Sequence, residues 1–303
     1  LRERLNLNAV DLIVLAYTAA VGLFVLLLRE RVPESGSILL LHAFVLIVLP
    51  LLPARGAPWE TSPPGEAGVI RRVRATLRFL RYTYLLFFVL FYFEEVRHTV
   101  NALWQESPYW FEPFLYDADR FLFGELPTEL LNDVTGLVLD EVVHFFYFSY
   151  FFIFIGGVII AWFRRVDFDA VLTSVITGFF LCFSQYPFLP ARGPWENPEL
   201  MASVNAFEGI VFVPIIEAIM KVGAVSGGCF PSSHVAGSWA TAFAMWPRSR
   251  AWSVTLGVLA IGMSASCVYT RYHHFVDVPT GFVMGALGAV IGHAVVKRSQ
   301  SRS

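Results

Sequence analysis

Gly228-Cys229-Phe230-Pro231-Ser232-Ser233-His234, followed by Ser266-Cys267-Val268-Tyr269-Thr270-Arg271-Tyr272-His273-His274-Phe275-Val276-Asp277, places two histidines and an aspartate at the ends of apolar stretches. Ionisable side chains at membrane depth cost several kcal/mol, roughly 2.5–3.5 on insertion scales, so they mark functional sites. The surrounding composition supports a membrane setting. The 303 residues are 56% hydrophobic, 16% aromatic and only 15% charged, with a mean hydropathy of +0.60. That profile fits a polytopic all-α membrane helix bundle and disfavours a soluble domain.

Apolar length predicts eight spans, at about 11–28, 37–53, 79–103, 138–163, 169–190, 234–247, 252–270 and 275–296, each near the ~20 residues that cross a bilayer. The first run lacks a small-residue cleavage pattern and reads as a retained span. Segment 54–78 is a Pro/Gly-containing linker that turns basic at Arg71, Arg72, Arg74 and Arg78. Segment 104–137, with Trp104, Tyr109, Trp110 and Phe111, reads as an interfacial elbow. Segment 208–225, interrupted by Pro214, Glu217 and Lys221, reads as an interfacial or re-entrant helix. The expected organisation is two N-terminal spans and a basic linker over 1–78, then a six-span core over 79–303.

Eight spans put Arg2, Arg4, Arg55, Arg71, Arg72, Arg74, Arg78, Arg81, Arg164, Arg165, Arg248, Arg250, Lys297, Arg298 and Arg302 on one side, 15 of the 22 basic residues. The excess marks that side as cytoplasmic, so both histidine blocks open to the other side. Anionic headgroups account for this basic rim, and nucleic-acid binding is not expected. Cys182, Cys229 and Cys267 show neither a disulfide framework nor zinc spacing and read as structural. Leu52-Pro53-Ala54-Arg55-Gly56-Ala57-Pro58-Trp59-Glu60 is similar to Leu189-Pro190-Ala191-Arg192-Gly193-Pro194-Trp195-Glu196. No Pro-Ser-Ser-His follows the first copy, so it reads as a turn after a helix.

His273 and Asp277, four apart, share a face if a helix begins there. A carboxylate on one imidazole nitrogen fixes the tautomer and leaves the other nitrogen free to attack. Ser232 or Ser233 can cap the helix after His234, whose N-terminus suits phosphate, and His234 can then protonate a departing oxygen. Arg192 offers paired donors to phosphate oxygens. Taken singly, each is equally a structural pair, an ordinary cap or a snorkelling arginine.

Together and in this order they resemble the three signature blocks of the type 2 phosphatidic acid phosphatase and vanadium haloperoxidase superfamily. Pro231-Ser232-Ser233-His234 is similar to its Pro-Ser-Gly-His block, and Ser266, His273 and Asp277 keep the spacing of its third block. The resemblance covers about residues 79–296. It implies His273 as nucleophile, Asp277 as its orienting group and His234 as acid, with no cofactor and no metal. His274 has no role in that pattern. The sequence departs where the family has cations: Gln185 stands for Lys, Cys267 for Arg, and Gly193 separates Arg192 from Pro194. Arg271 is a candidate replacement, and Arg192, Arg271, Ser232, Ser233 and Gln185 are the expected phosphate-binding set.

Fewer cations suit a phosphodiester of about one negative charge over a monoester of about −1.5 to −2. The blocks Tyr272–Val278 and Tyr116–Gly124 are similar to the inositolphosphotransferase branch, which includes inositol phosphorylceramide synthases. The resemblance thus implies a lipid phosphotransferase or phosphodiesterase, passing the group from a phosphohistidine to an alcohol or water, whose partners are a phospholipid or lipid phosphate and the bilayer. A lipid phosphate phosphatase acting on phosphatidic acid or a polyprenyl pyrophosphate is the alternative; a non-enzymatic lipid transporter is a third. The soluble haloperoxidases fit poorly. Oligomeric state is not readable from the sequence.

Overall fold

The computed structural model describes residues 7–51, 68–104, 110–164 and 167–300. The similar segment Leu52–Glu60, part of the 54–78 linker, and Arg2, Arg4, Arg55, Tyr109, Arg165 and Arg302 lie outside the described residues. Asn8 opens α1 (Ala9–Leu27) with a capping box, its side chain accepting from the Asp11 amide while Asp11 accepts from Asn8. Next come α2 (Ser35–Leu51) and α3 (Gly68–Trp104). The elbow holds α4 (Glu112–Phe123) and the single turn α5 (Pro127–Leu130). Gly124 ends α4 at φ +83°, a conformation that a Cβ penalises. α6 (Leu137–Phe151) runs through one π-helical turn, Phe152–Gly156, into α7 (Gly157–Phe163). α8 (Phe168–Phe183), a 3₁₀ turn (Pro194–Glu196), α9 (Pro198–Ala202) and α10 (Phe212–Gly223) precede the site-bearing helices. Those are α11 (Ser233–Met245), α12 (Arg250–Tyr269) and α13 (Asp277–Gln300). Among the described residues no strand forms; Ala191 and Gly228 make an isolated parallel bridge.

Among the described residues four helical stretches are long and apolar enough to cross a membrane: Ala9–Leu27, Leu137–Phe163, Arg250–Tyr269 and Asp277–Ser299. Of the other four predicted spans, α2 keeps the expected 17 residues and α11 comes within one residue of its expected length, while α3 and α8 depart from theirs. α3 begins eleven residues before the expected 79 and runs 37 residues, because its basic first turns continue the helix. α2 and α8 have 17 and 16 residues, and α11 has 13. α8 stops at Phe183 instead of 190. Pro187 and Pro190 remove backbone donors and push their predecessors out of the α region.

Packing centres on α8, buried along nearly its whole length, with α13, α11, α1 and α3 against it. In lipid, close contact of small residues replaces hydrophobic drive between helices. α13 carries that surface. A Cβ on Gly288 would meet the backbone of Gly178 on α8 at 2.7 Å, and one on Gly285 would meet the Ala236 carbonyl on α11 at 2.6 Å. α13 is therefore locked against both helices, which fixes Asp277 at its start. α12 packs on α6 and α11, and α10 on α6. Polar contacts tie the N-terminal helices to α3: Thr18 meets Tyr92, and buried His42 lies 3.1 Å from buried Glu95.

Candidate active site

One end of the bundle gathers the end of α12, the start of α13, the start of α11 and the loop after α8. Ser232 caps α11 through its hydroxyl, which accepts from the Val235 amide at 3.4 Å. The Ser232 amide in turn donates to the Asp277 carbonyl at 3.2 Å, joining the two histidine blocks. Between α12 and α13 the chain turns through Arg271 at φ +66°. The His273 amide then donates back to the Cys267 carbonyl at 3.0 Å.

This turn holds His273 by both ring nitrogens. Nδ1 lies 3.1 Å from Asp277 Oδ2, and Nε2 lies 3.2 Å from the Ser232 hydroxyl. With Nδ1 donating to the carboxylate, Nε2 keeps its lone pair and accepts from Ser232. Asp277 is fully buried, and the same Oδ2 accepts from the His274 amide at 2.9 Å and the Cys229 thiol at 2.9 Å. Burial pushes the His273 pKa down to about 4, with an opposing contribution from Cys229. The ring is therefore neutral at physiological pH, as a nucleophile must be. His234 faces it from the first turn of α11, ring centroids 5.7 Å apart, against Tyr147 and Tyr150.

His234, His273, Ser233 and Cys229 line one cavity. Its walls are otherwise aromatic and aliphatic, with Phe93 from α3, Tyr150 from α6, Phe179 and Phe183 from α8, and Met220 from α10 among them. Among the described residues no lysine or arginine lines it. The carboxylate among its described lining residues, Glu196, accepts from the Gly193 amide at 3.1 Å and from the Ser226 hydroxyl. Burial raises the Glu196 pKa against these two hydrogen bonds.

The structure thus brings His273, Asp277, His234, Ser232 and Ser233 together. The three remaining phosphate-site candidates have other partners. Arg192, its side chain 45% exposed, pairs with Glu112 on α4 and lies over Trp110 at 4.6 Å. Arg271 donates to the Asn205 carbonyl at 2.7 Å and lies over the Phe207 ring at 4.2 Å. Gln185 donates to the Leu181 carbonyl at 2.9 Å, within its own helical turn. None of the three lines the cavity.

Two site residues had no role in the sequence reading. Asp119 on α4 is buried and accepts from the amides of Phe275 and Val276 at 3.0 and 3.2 Å, holding the turn that carries His273. Burial raises its pKa, opposed by those two amides. Its signal was the Tyr116–Gly124 resemblance, which named the segment but gave Asp119 no task. Cys229 read as structural, and in fact contacts both members of the His–Asp pair. His274 bonds the Arg192 carbonyl at 3.1 Å and packs edge-on to Tyr116, a wall contact that links the α12–α13 turn to the loop after α8.

A family model described as the PAP2 superfamily matches residues 115–291, more than half of the chain. A curated protein of Dictyostelium discoideum, described as a PA-phosphatase related-family protein, is 30% identical over 109 residues. That match takes in 35% of this chain and spans 20% of the relative's own length. Among solved structures, Aquifex aeolicus LpxE aligns with a TM-score of 0.42 at 17% identity, over 55% of this chain and 92% of that one.

Proposed function

The chain belongs to the PAP2 superfamily, and from that premise we propose that it is a membrane-embedded lipid phosphoesterase working through a phosphohistidine on His273. His273 Nε2 attacks the phosphorus of a lipid phosphoester. The bond from phosphorus to the lipid oxygen breaks, and that oxygen takes a proton from the imidazolium form of His234, which the anionic phosphate bound beside it would stabilise. In the second step an alcohol or water attacks the phosphohistidine and gives its proton back to His234. Asp277 stabilises the imidazolium that forms at His273. Ser232 leaves Nε2 as the phosphate arrives, and its hydroxyl and the first amides of α11 would hold phosphate oxygens. No step requires a metal.

The observation that carries this reading is the pairing of His273 and His234 on one cavity wall, with Asp277 behind His273 at 3.1 Å. The apolar lining suits a lipid chain. That no lysine or arginine stands among the described lining residues favours a phosphodiester, and so a headgroup transfer of the inositolphosphotransferase kind, over a dianionic monoester. Hydrolysis of a lipid phosphate monoester is the second reading. The family itself favours it, and so does half-exposed Arg192, which would serve a second anionic charge by leaving Glu112.

The cavity opens at the end of the bundle opposite Arg164, Arg248, Arg250, Lys297 and Arg298, which supports a non-cytoplasmic active site. The division into two N-terminal spans and a core over 79–303 is part of the same proposal. The test is mass spectrometry of products after purified protein meets a mixed phospholipid extract, beside His273→Ala. A new headgroup-bearing lipid with diacylglycerol is the expected result. Free phosphate from phosphatidic acid or polyprenyl pyrophosphate would replace transfer with hydrolysis. Identical products from the variant would overturn the enzymatic reading.

A further inference from the structure

Cys229 supplies chemistry that phosphoryl transfer does not use. Its sulfur lies 2.9 Å from Asp277 Oδ2 and 3.4 Å from His273 Nδ1, and those two atoms are 3.1 Å apart. All three residues are buried, and together they meet the spacing of a metal-ligand group. Tetrahedral zinc holds sulfur at about 2.3 Å and nitrogen or oxygen at about 2.0–2.2 Å, which sets neighbouring ligands about 3.3–3.6 Å apart. The Cys229–His273–Asp277 triangle is one face of such a tetrahedron, drawn in by a few tenths of an ångström by the hydrogen bonds that now close it.

We propose that Cys229, His273 and Asp277 form a binding site for a thiophilic divalent cation of the zinc class, which reversibly switches the active site off. Access comes from the cavity, since Cys229 and His273 both line it. The charge balance suits a buried site. One thiolate and one carboxylate neutralise a dication, so no net charge remains away from water. Sulfur and imidazole select zinc-like ions over magnesium, which prefers oxygen ligands.

The proton balance explains the inhibition. The metal displaces the Cys229 S–H proton to solvent and takes the lone pair of His273 Nδ1. The proton formerly on Nδ1 moves to Nε2, and no electron is transferred. A protonated Nε2 has no lone pair to attack phosphorus. The Ser232 hydroxyl 3.2 Å away serves either tautomer, because a hydroxyl can donate or accept. Inhibition rests on His273 being the nucleophile; metal binding does not.

The test titrates the detergent-purified full chain with Co²⁺, whose thiolate charge-transfer and tetrahedral ligand-field bands report the ligands directly. One equivalent should bring up both bands, and Zn²⁺ should abolish them. Cys229→Ser and Cys229→Ala should lose the charge-transfer band, and His273→Ala, which keeps the thiol, should bind at least tenfold more weakly. Cys267→Ala and His234→Ala keep all three ligands and should keep the bands. In turnover, micromolar Zn²⁺ should cut the rate at least tenfold, a chelator should restore it, and Mg²⁺ should do neither. Absence of the bands in the wild type, or their persistence in both Cys229 variants, would overturn the site. Bands without inhibition would retain the site and overturn the switch, and with it the assignment of Nε2 as the attacking atom.

Discussion

Replacing Asp277 by Asn removes one charge and keeps the shape of the side chain, so it isolates what the carboxylate does for His273. In the resting site the carboxylate accepts the Nδ1 proton at 3.1 Å. When His273 attacks phosphorus its ring becomes an imidazolium, and a full positive charge then sits beside a full negative one. At 3.1 Å and an effective dielectric constant of about 20, that attraction is worth about 5 kcal/mol. At about 1.4 kcal/mol per tenfold, the variant should lose between a thousandfold and ten-thousandfold in kcat. An asparagine amide that donates toward Nδ1 adds to the loss by moving the ring proton to Nε2. KM should change less than threefold, because Asp277 does not line the cavity. The assay follows lipid product by mass spectrometry at saturating substrate, with a thermal unfolding curve in detergent confirming that the fold survives. A variant within tenfold of the wild type and equally stable would refute the idea that Asp277 acts through the charge on His273.

The other predictions concern the acid, the pH profile and the packing. His234→Ala should cost about a hundredfold to ten-thousandfold with a poor lipid-alcohol leaving group and much less with a nitrophenyl ester, which needs no proton; equal losses on both would remove its acid role. Because burial holds the His273 pKa near 4, the nucleophile is neutral above that value and protonated below it. The acid limb of kcat/KM should therefore fall near pH 4, and a limb at 6 to 7 would show an imidazole unshifted by burial. Gly288→Ala should destabilise the fold by about 1–3 kcal/mol through overpacking against the Gly178 backbone. Gly257→Ala, which meets nothing within 4 Å inside α12, should not lower the melting temperature and should raise it slightly through helix propensity.

The His–Asp pair was readable because its members are local. His273 and Asp277 are four residues apart, and Pro231-Ser232-Ser233-His234 carries its own capping signal. The helical membrane class followed from composition and apolar length in the same way. What escaped depends on distance in the chain. Asp119 reaches the turn at Phe275 across 156 positions, and Cys229 reaches Asp277 across 48, so neither contact leaves a periodic trace. Arg192 and Arg271 had the right chemistry, but the sequence does not show that Glu112 and Asn205 engage them. Span lengths failed where hydropathy overruled punctuation. Pro187 and Pro190 stop α8 at Phe183, and the basic turns before residue 79 belong to α3. The close seam of α13 was also present as Gly281, Gly285, Gly288 and Gly292, yet only the neighbouring backbones show which helices need those positions empty.

The central claim is a covalent phosphoryl group on His273, and trapping it is the most direct test. Purified protein would be mixed with a lipid phosphoester carrying labelled phosphorus, quenched in base during turnover, digested and mapped by mass spectrometry. The account predicts an acid-labile, base-stable phosphate on the peptide containing His273. It should accumulate when the acceptor alcohol is withheld and be absent from His273→Ala. Turnover with no phosphorylated peptide, or with the phosphate on another residue, would contradict it.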